Sequence, residues 1–127
     1  MKTEYDISTK EKEISYISYV DTILDNLGFN KANNGTRLLR KFIIYVYFKD
    51  PFELNIKREM NAFIRDKNIN ITYHNFYKRI QYAIDNSDID KMKKNFYLVF
   101  HLNYDYFYLK VKYIVNLILN VLEQITI

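Results

Sequence analysis

Thr72-Tyr73-His74-Asn75-Phe76-Tyr77-Lys78-Arg79-Ile80-Gln81-Tyr82-Ala83-Ile84-Asp85-Asn86 contains neither glycine nor proline. Its apolar residues Tyr73, Phe76, Tyr77, Ile80, Ala83 and Ile84 fall three and four apart, the spacing that lines one face of an α-helix. Thr72, just ahead of them, carries a hydroxyl suited to accept a free backbone N–H of the first turn. With the apolar stripe turned inward, successive residues rotate by about 100° and point Asn75, Lys78 and Tyr82 outward, flanked by His74, Arg79 and Gln81. Asp85 is the opposing charge on that face.

Upstream, Asp50-Pro51-Phe52-Glu53 reads as a helix start. Asp caps, Pro tolerates the first helical position and Glu sits in the electropositive first turn. The helix it opens would turn Phe52, Ile56, Met60, Phe63 and Ile64 inward and break at Asn68-Ile69-Asn70-Ile71. A helix, a short break and a second helix with a polar outer face make up a helix-turn-helix, in which the first helix braces and the second enters the major groove.

Farther out, Thr36 to Lys49 repeats apolar residues at Leu38, Leu39, Phe42, Ile43 and Val46, with Asn33-Asn34-Gly35 as turn material ahead of it. A first helix over about 10–27 is expected from Ser8-Thr9-Lys10-Glu11, which has capping-box spacing, and from the stripe Ile14, Ile17, Val20, Leu24 and Leu27. Gly28 supplies a left-handed stop. Residues 1–9 are expected to be disordered or extended. After helix four, Ser87 or Asp88 caps a short helix through Asn95 that carries Ile89 and Met92 on one side. The region 97–112 is rich in strand formers around Asn103-Tyr104-Asp105, so a short hairpin stands as an alternative. A long helix over 106–125, with Phe107, Val111, Ile114, Val115, Ile118, Leu122 and Ile125 inward, is preferred because the run outlasts a typical strand. The expected fold is one all-α domain of six helices containing a helix-turn-helix.

Composition fits that reading. The 127 residues are 49% hydrophobic and 17% aromatic, enough for one core, while two glycines and one proline leave little for the tight turns of an all-β fold. The absence of cysteine excludes disulfides, thiolate metal ligands and a thiol nucleophile, and fits a cytoplasmic location. The longest apolar run, Tyr113 to Leu122, is interrupted by Asn116 and Asn120 and falls short of the roughly 20 residues needed to span a membrane. His74 and His101 stand apart with no HExxH, phosphate loop or nucleophile elbow, so neither an enzyme, a metal site nor a cofactor is expected.

A net charge of +4 favours acidic partners, and double-stranded DNA is the expected one. Asn75 and Gln81 are suited to pair with adenine, and Lys78 and Arg79 with guanine acceptors or phosphates. The Thr72 hydroxyl is suited to hold phosphate near the helix start, Tyr82 to meet bases or nearby phosphates, and His74 to face DNA. A second basic group, Lys31, Arg37, Arg40, Lys41 and Lys49, would neutralise flanking phosphates, with Arg37 and Arg40 foremost.

Several segments, in order, resemble a known family. They are Ile23-Leu24-Asp25-Asn26-Leu27-Gly28; Gly35 followed by Leu39-Arg40 and Val46-Tyr47; Thr72 before Lys78-Arg79-Ile80-Gln81-Tyr82-Ala83-Ile84-Asp85; and Asp88-Ile89-Asp90. Over about Ile14 to Leu122 the chain resembles the DNA-binding effector domain of the sporulation master response regulator, stage-zero sporulation protein A. The resemblance implies six helices, a helix-turn-helix made by the third and fourth, and copies side by side on DNA.

The chain departs from that family at the reading face. The family has Arg where Asn75 and Gln81 stand, Glu at Tyr77 and His at Tyr82, while Lys78 keeps a family arginine's charge. An amide in place of a guanidinium implies a different target sequence. About ten residues precede the first helix, so no receiver domain is expected. Control would then come from abundance, dimerisation (through the 106–125 helix) or another protein, as in a small transcriptional regulator or an origin accessory protein of a plasmid or phage. The rival expectation is a protein-interaction module that docks through the apolar 107–125 stripe.

Overall fold

A computed structural model describes residues 4–105 and 109–125. The described residues form α1 (Glu4–Asn26), α2 (Asn34–Lys49), α3 (Ile56–Asp66), α4 (Tyr73–Asp85), α5 (Ile89–Phe100) and α6 (Val111–Glu123), with no strand among them. The all-α, six-helix expectation holds. The hairpin alternative fails over its described part, where α5 runs on to Phe100 and His101 closes it in the left-handed region. No helix of the described residues is long and apolar enough to cross a membrane.

Helix ends follow local chemistry. Asn33, Asn55, Thr72 and Asp88 each cap a helix by accepting a first-turn N–H on a side-chain oxygen. At the end of α1, Gly28 has φ 86°, with its N–H on the Asp25 carbonyl and the Phe29 N–H on that of Leu24. This is the Schellman arrangement. Asn68 repeats it after α3 at φ 52°, with its N–H on Arg65 and that of Ile69 on Ile64. Asn tolerates the left-handed region better than most residues, so it serves where glycine would otherwise stand.

Several sequence expectations are corrected. Asp50 does not open α3. It ends α2 in the left-handed region (φ 50°) with its N–H on the Val46 carbonyl, and Pro51 follows a stop, as proline commonly does. The cap of α3 is Asn55, so Phe52 lies outside the helix and is fully exposed rather than inward. The helix α1 already runs from Glu4, so residues 4–9 are not extended and Ser8–Glu11 do not mark its start. Ile14 is exposed, and Tyr16 takes the buried position beside it. The C-terminal helix begins at Val111, not 106; Phe107 lies outside the described residues.

The core has two linked parts. Phe42 of α2, Phe63 of α3 and Phe76 of α4 pack edge-on, with centroids 5.6–6.0 Å apart, and lock these three helices together. Val111, Ile114, Val115, Ile118 and Leu122 of α6 are fully buried, and α6 contacts α1, α2, α4 and α5. Tyr47 donates to the Tyr16 hydroxyl (3.0 Å), which donates to the Ile125 carbonyl (3.4 Å), tying α2 and α1 to the chain after α6. The apolar stripe of α6 is thus spent on the core.

The tightest contact joins α2 to α4. A Cβ on Gly35 would lie 2.0 Å from the Arg79 carbonyl oxygen and 3.0 Å from the Ala83 Cβ, so helix backbone touches helix backbone. Gly35→Ala should therefore force α2 and α4 apart and lower stability by about 2–3 kcal/mol, as overpacking a rigid contact does. Urea unfolding checks this; an unchanged midpoint would show that the helices do not meet there.

Candidate functional site

The outer face of α4 carries His74, Asn75, Lys78, Arg79, Tyr82 and Asp85, all exposed, with Tyr82 59% exposed. Its inner face buries Phe76, Ile80, Ala83 and Ile84. The side chains of His74, Asn75, Lys78, Arg79 and Tyr82 make no hydrogen bond or ion pair with the other described residues. Thr72 is committed to the helix cap, its hydroxyl accepting the Asn75 N–H at 3.2 Å. The cap leaves that hydroxyl exposed, so it still has a lone pair for an incoming donor.

The Gly35 contact brings a second element to this face. Asn33, Asn34 and Gly35, at the start of α2, form with Lys78, Arg79 and Tyr82 an open cleft of about 480 Å³. Asn34 is exposed, and the positive end of the α2 dipole adds to the two cations. In the sequence, Asn33-Asn34-Gly35 reads only as turn material. The signal available was that a glycine inside a helical pattern often marks a close backbone approach, which places it beside another element.

Gln81 does not belong to the face. Its Nε2 donates to Asp85 Oδ1 (2.9 Å) and to the Leu109 carbonyl (3.1 Å), while its Oε1 is buried with no partner. It fastens α4 to the segment entering α6, a contact that a helical projection cannot show.

The expected basic group on α2 is likewise divided. Arg40 pairs with Asp21 of α1 at 3.4 Å, and Lys49 pairs with Glu59 at 2.6 Å. Arg37 stays exposed at the α2 start and donates to the Ala32 carbonyl (3.1 Å). Of the phosphate-holding residues expected on α2, Arg37 remains available and Arg40 does not.

Glu59 is a buried charge, 1% exposed, that the sequence reading did not single out. Lys49 Nζ reaches its Oε1, and Arg58 Nε reaches its Oε2 at 3.1 Å, so α2 and α3 share one carboxylate. Burial pushes the carboxyl up, and the hydrogen bonds from Lys49 and Arg58 outweigh it, leaving it below its usual value of 4.5. In the same region the Tyr45 hydroxyl donates to Asp66 at 2.7 Å and holds that carboxyl low.

Among the described residues no group of His, Asp and Glu is arranged to hold a metal ion. Protein-family models, curated proteins and solved structures were compared with the chain, and none of the three comparisons gives a match. The functional reading therefore rests on the geometry of α4 and the start of α2.

A carboxyl held low when folded contributes stability above its unfolded pKa and loses it as pH falls through the folded value. Glu59→Gln should cost roughly 1–3 kcal/mol at neutral pH and weaken the loss of stability below about pH 4.5. Lys49→Met, which leaves the buried carboxylate with Arg58 alone, should move acid unfolding to higher pH. Denaturant midpoints measured between pH 7 and pH 3, as round values spanning the carboxyl range, test both; matching profiles for wild type and Glu59→Gln would refute the clamp.

Proposed function

We propose that the chain is a small, sequence-specific double-stranded DNA-binding protein, a regulator that inserts α4 into the major groove while α3 braces it. The observation that carries this reading is the outer face of α4. Its amide, cationic and phenolic side chains have no partner within the described chain, and the start of α2 flanks them. Side chains on a merely solvated face would need no second element beside them. Here Asn34 and the α2 dipole extend the cationic middle of α4 toward where a phosphate would run.

Asn75 reads a base edge, its amide matching adenine N6 and N7. Lys78 and Arg79 bond guanine acceptors or the phosphates facing the cleft. Tyr82, His74, Thr72 and Arg37 hold the backbone. Gln81 acts on α4 from behind as a positioning residue, and Arg40 is withdrawn. The helix number and order also agree with what the resemblance to the sporulation effector domain implies. A protein-docking role has its best support at the end of α5 and just beyond it, where Tyr97, Leu98 and Leu102 are exposed.

Selection of bound duplexes from a random pool, followed by titration at two salt concentrations, tests the proposal. A consensus should emerge, with affinity that falls as salt rises. Lys78→Ala should weaken binding to all sequences and reduce the salt slope by about one. Asn75→Ala should cost about 1–3 kcal/mol on the preferred duplex and relax one base position. Gln81→Ala should lower stability while leaving base preference intact. No enrichment even at low salt would refute DNA binding and favour protein docking.

A further inference from the structure

A second cleft, of about 390 Å³, lies on α1, α2 and the end of α3, and its lining includes none of the α4 face. Its apolar surface comes from Ile17, Ile44, Phe63 and Ile69. Phe63 and Ile44 are otherwise buried, and Ile17 and Ile69 are half-exposed beside them. Lys41 and Lys67 stand at its edge, both exposed and with no ion pair among the described residues. Glu13 is the carboxylate in the lining, while Arg40 is held by Asp21 and Tyr45 by Asp66. Two unpaired ammonium groups against one carboxylate leave the rim positive.

A cleft of a few hundred cubic ångströms with an apolar floor and a few polar groups at one edge is the usual form of a small-molecule site. The sign of this rim selects the ligand class. We propose that the cleft binds a small organic anion with an apolar, ring-sized body: the body lies on Phe63 and the three isoleucines, and the anionic group faces Lys41 and Lys67. A neutral apolar molecule would forgo the two ammonium groups, and a small inorganic anion would leave the floor wet. Lys67 and Ile69 belong to the Schellman stop that ends α3, so a ligand here touches the connection between α3 and α4. The assignment does not depend on DNA binding, and its test contains no DNA.

The probe is 1-anilinonaphthalene-8-sulfonate, with N-phenyl-1-naphthylamine as the same body without the charge. Fluorescence titration of the folded chain should give one saturable site for the sulfonate, and the neutral dye should bind more weakly. Lys41→Glu/Lys67→Glu changes two exposed side chains and should weaken the sulfonate about tenfold or more while changing the neutral dye far less. The methyl resonances of Ile17, Ile44 and Ile69 should shift on addition of the sulfonate. Absence of saturation, equal loss of both dyes in the double variant, or shifts confined to Leu98 of α5 and Leu102 beyond it would each overturn the assignment.

Discussion

At Gly35 the backbones of α2 and α4 touch with no side chain between them, and the placement of the candidate site follows from that contact. Helix axes ordinarily stand 8–10 Å apart because side chains fill the gap, and removing one Cβ at the crossing lets them come closer. The approach sets the start of α2 beside Lys78, Arg79 and Tyr82. The Phe42, Phe63 and Phe76 rings then hold α2 against α3 and α4 about two turns farther along α2. A larger residue at position 35 would leave the rings in place but swing the α2 N-terminus away from the face. The glycine is therefore as much a part of the site as the residues that point outward.

Charge is distributed by the same logic. The net +4 says little by itself, because the fold uses many of the cations internally. Arg40 is turned toward α1, Lys49 and Arg58 close on Glu59, and Lys91 lies 4.0 Å from Asp25. The Glu59 clamp is costly to desolvate, and what it contributes is register, because a carboxylate satisfied from both sides accepts few alternative arrangements of α2 against α3. With these cations engaged, Lys78 and Arg79 are left unpaired on the α4 face, as Lys41 and Lys67 are at the second cleft.

Much of the fold was legible because helix periodicity and caps are local. Thr72, Asp88 and Gly28 announce their helix ends through side-chain or backbone chemistry confined to a few residues. The misreading at Asp50-Pro51 has a local cause too. Aspartate before proline suits a helix start, but it also tolerates the left-handed turn that ends one, and Asn55 further on offered the better cap. The outer face of α4 was legible for the same reason as its inner face, since one fixes the other. Gln81 was not, because the carbonyl it serves belongs to Leu109, far away in the chain. Glu59 was invisible for a related reason: a glutamate in a helix reads as solvated until its two partners are known to converge on it.

The chemistry of the α4 face limits how such a protein would hold DNA. Lys78, Arg79 and Arg37 are the cations the geometry leaves near the groove, so one copy would neutralise about three phosphates, and its affinity would fall about fortyfold between 50 and 200 mM salt. That is a weak electrostatic grip beside those of regulators that contact twice as many phosphates or more. Non-specific binding would be correspondingly low, and the discrimination would fall on Asn75 and its neighbours. One good base contact is worth about 1–3 kcal/mol, too little to hold a single copy on its site against a genome of competing sequence. Such a face would hold DNA well only if copies added their contacts along one duplex. Because the α6 stripe is buried, DNA spacing would align those copies more than an apolar seam through that helix would.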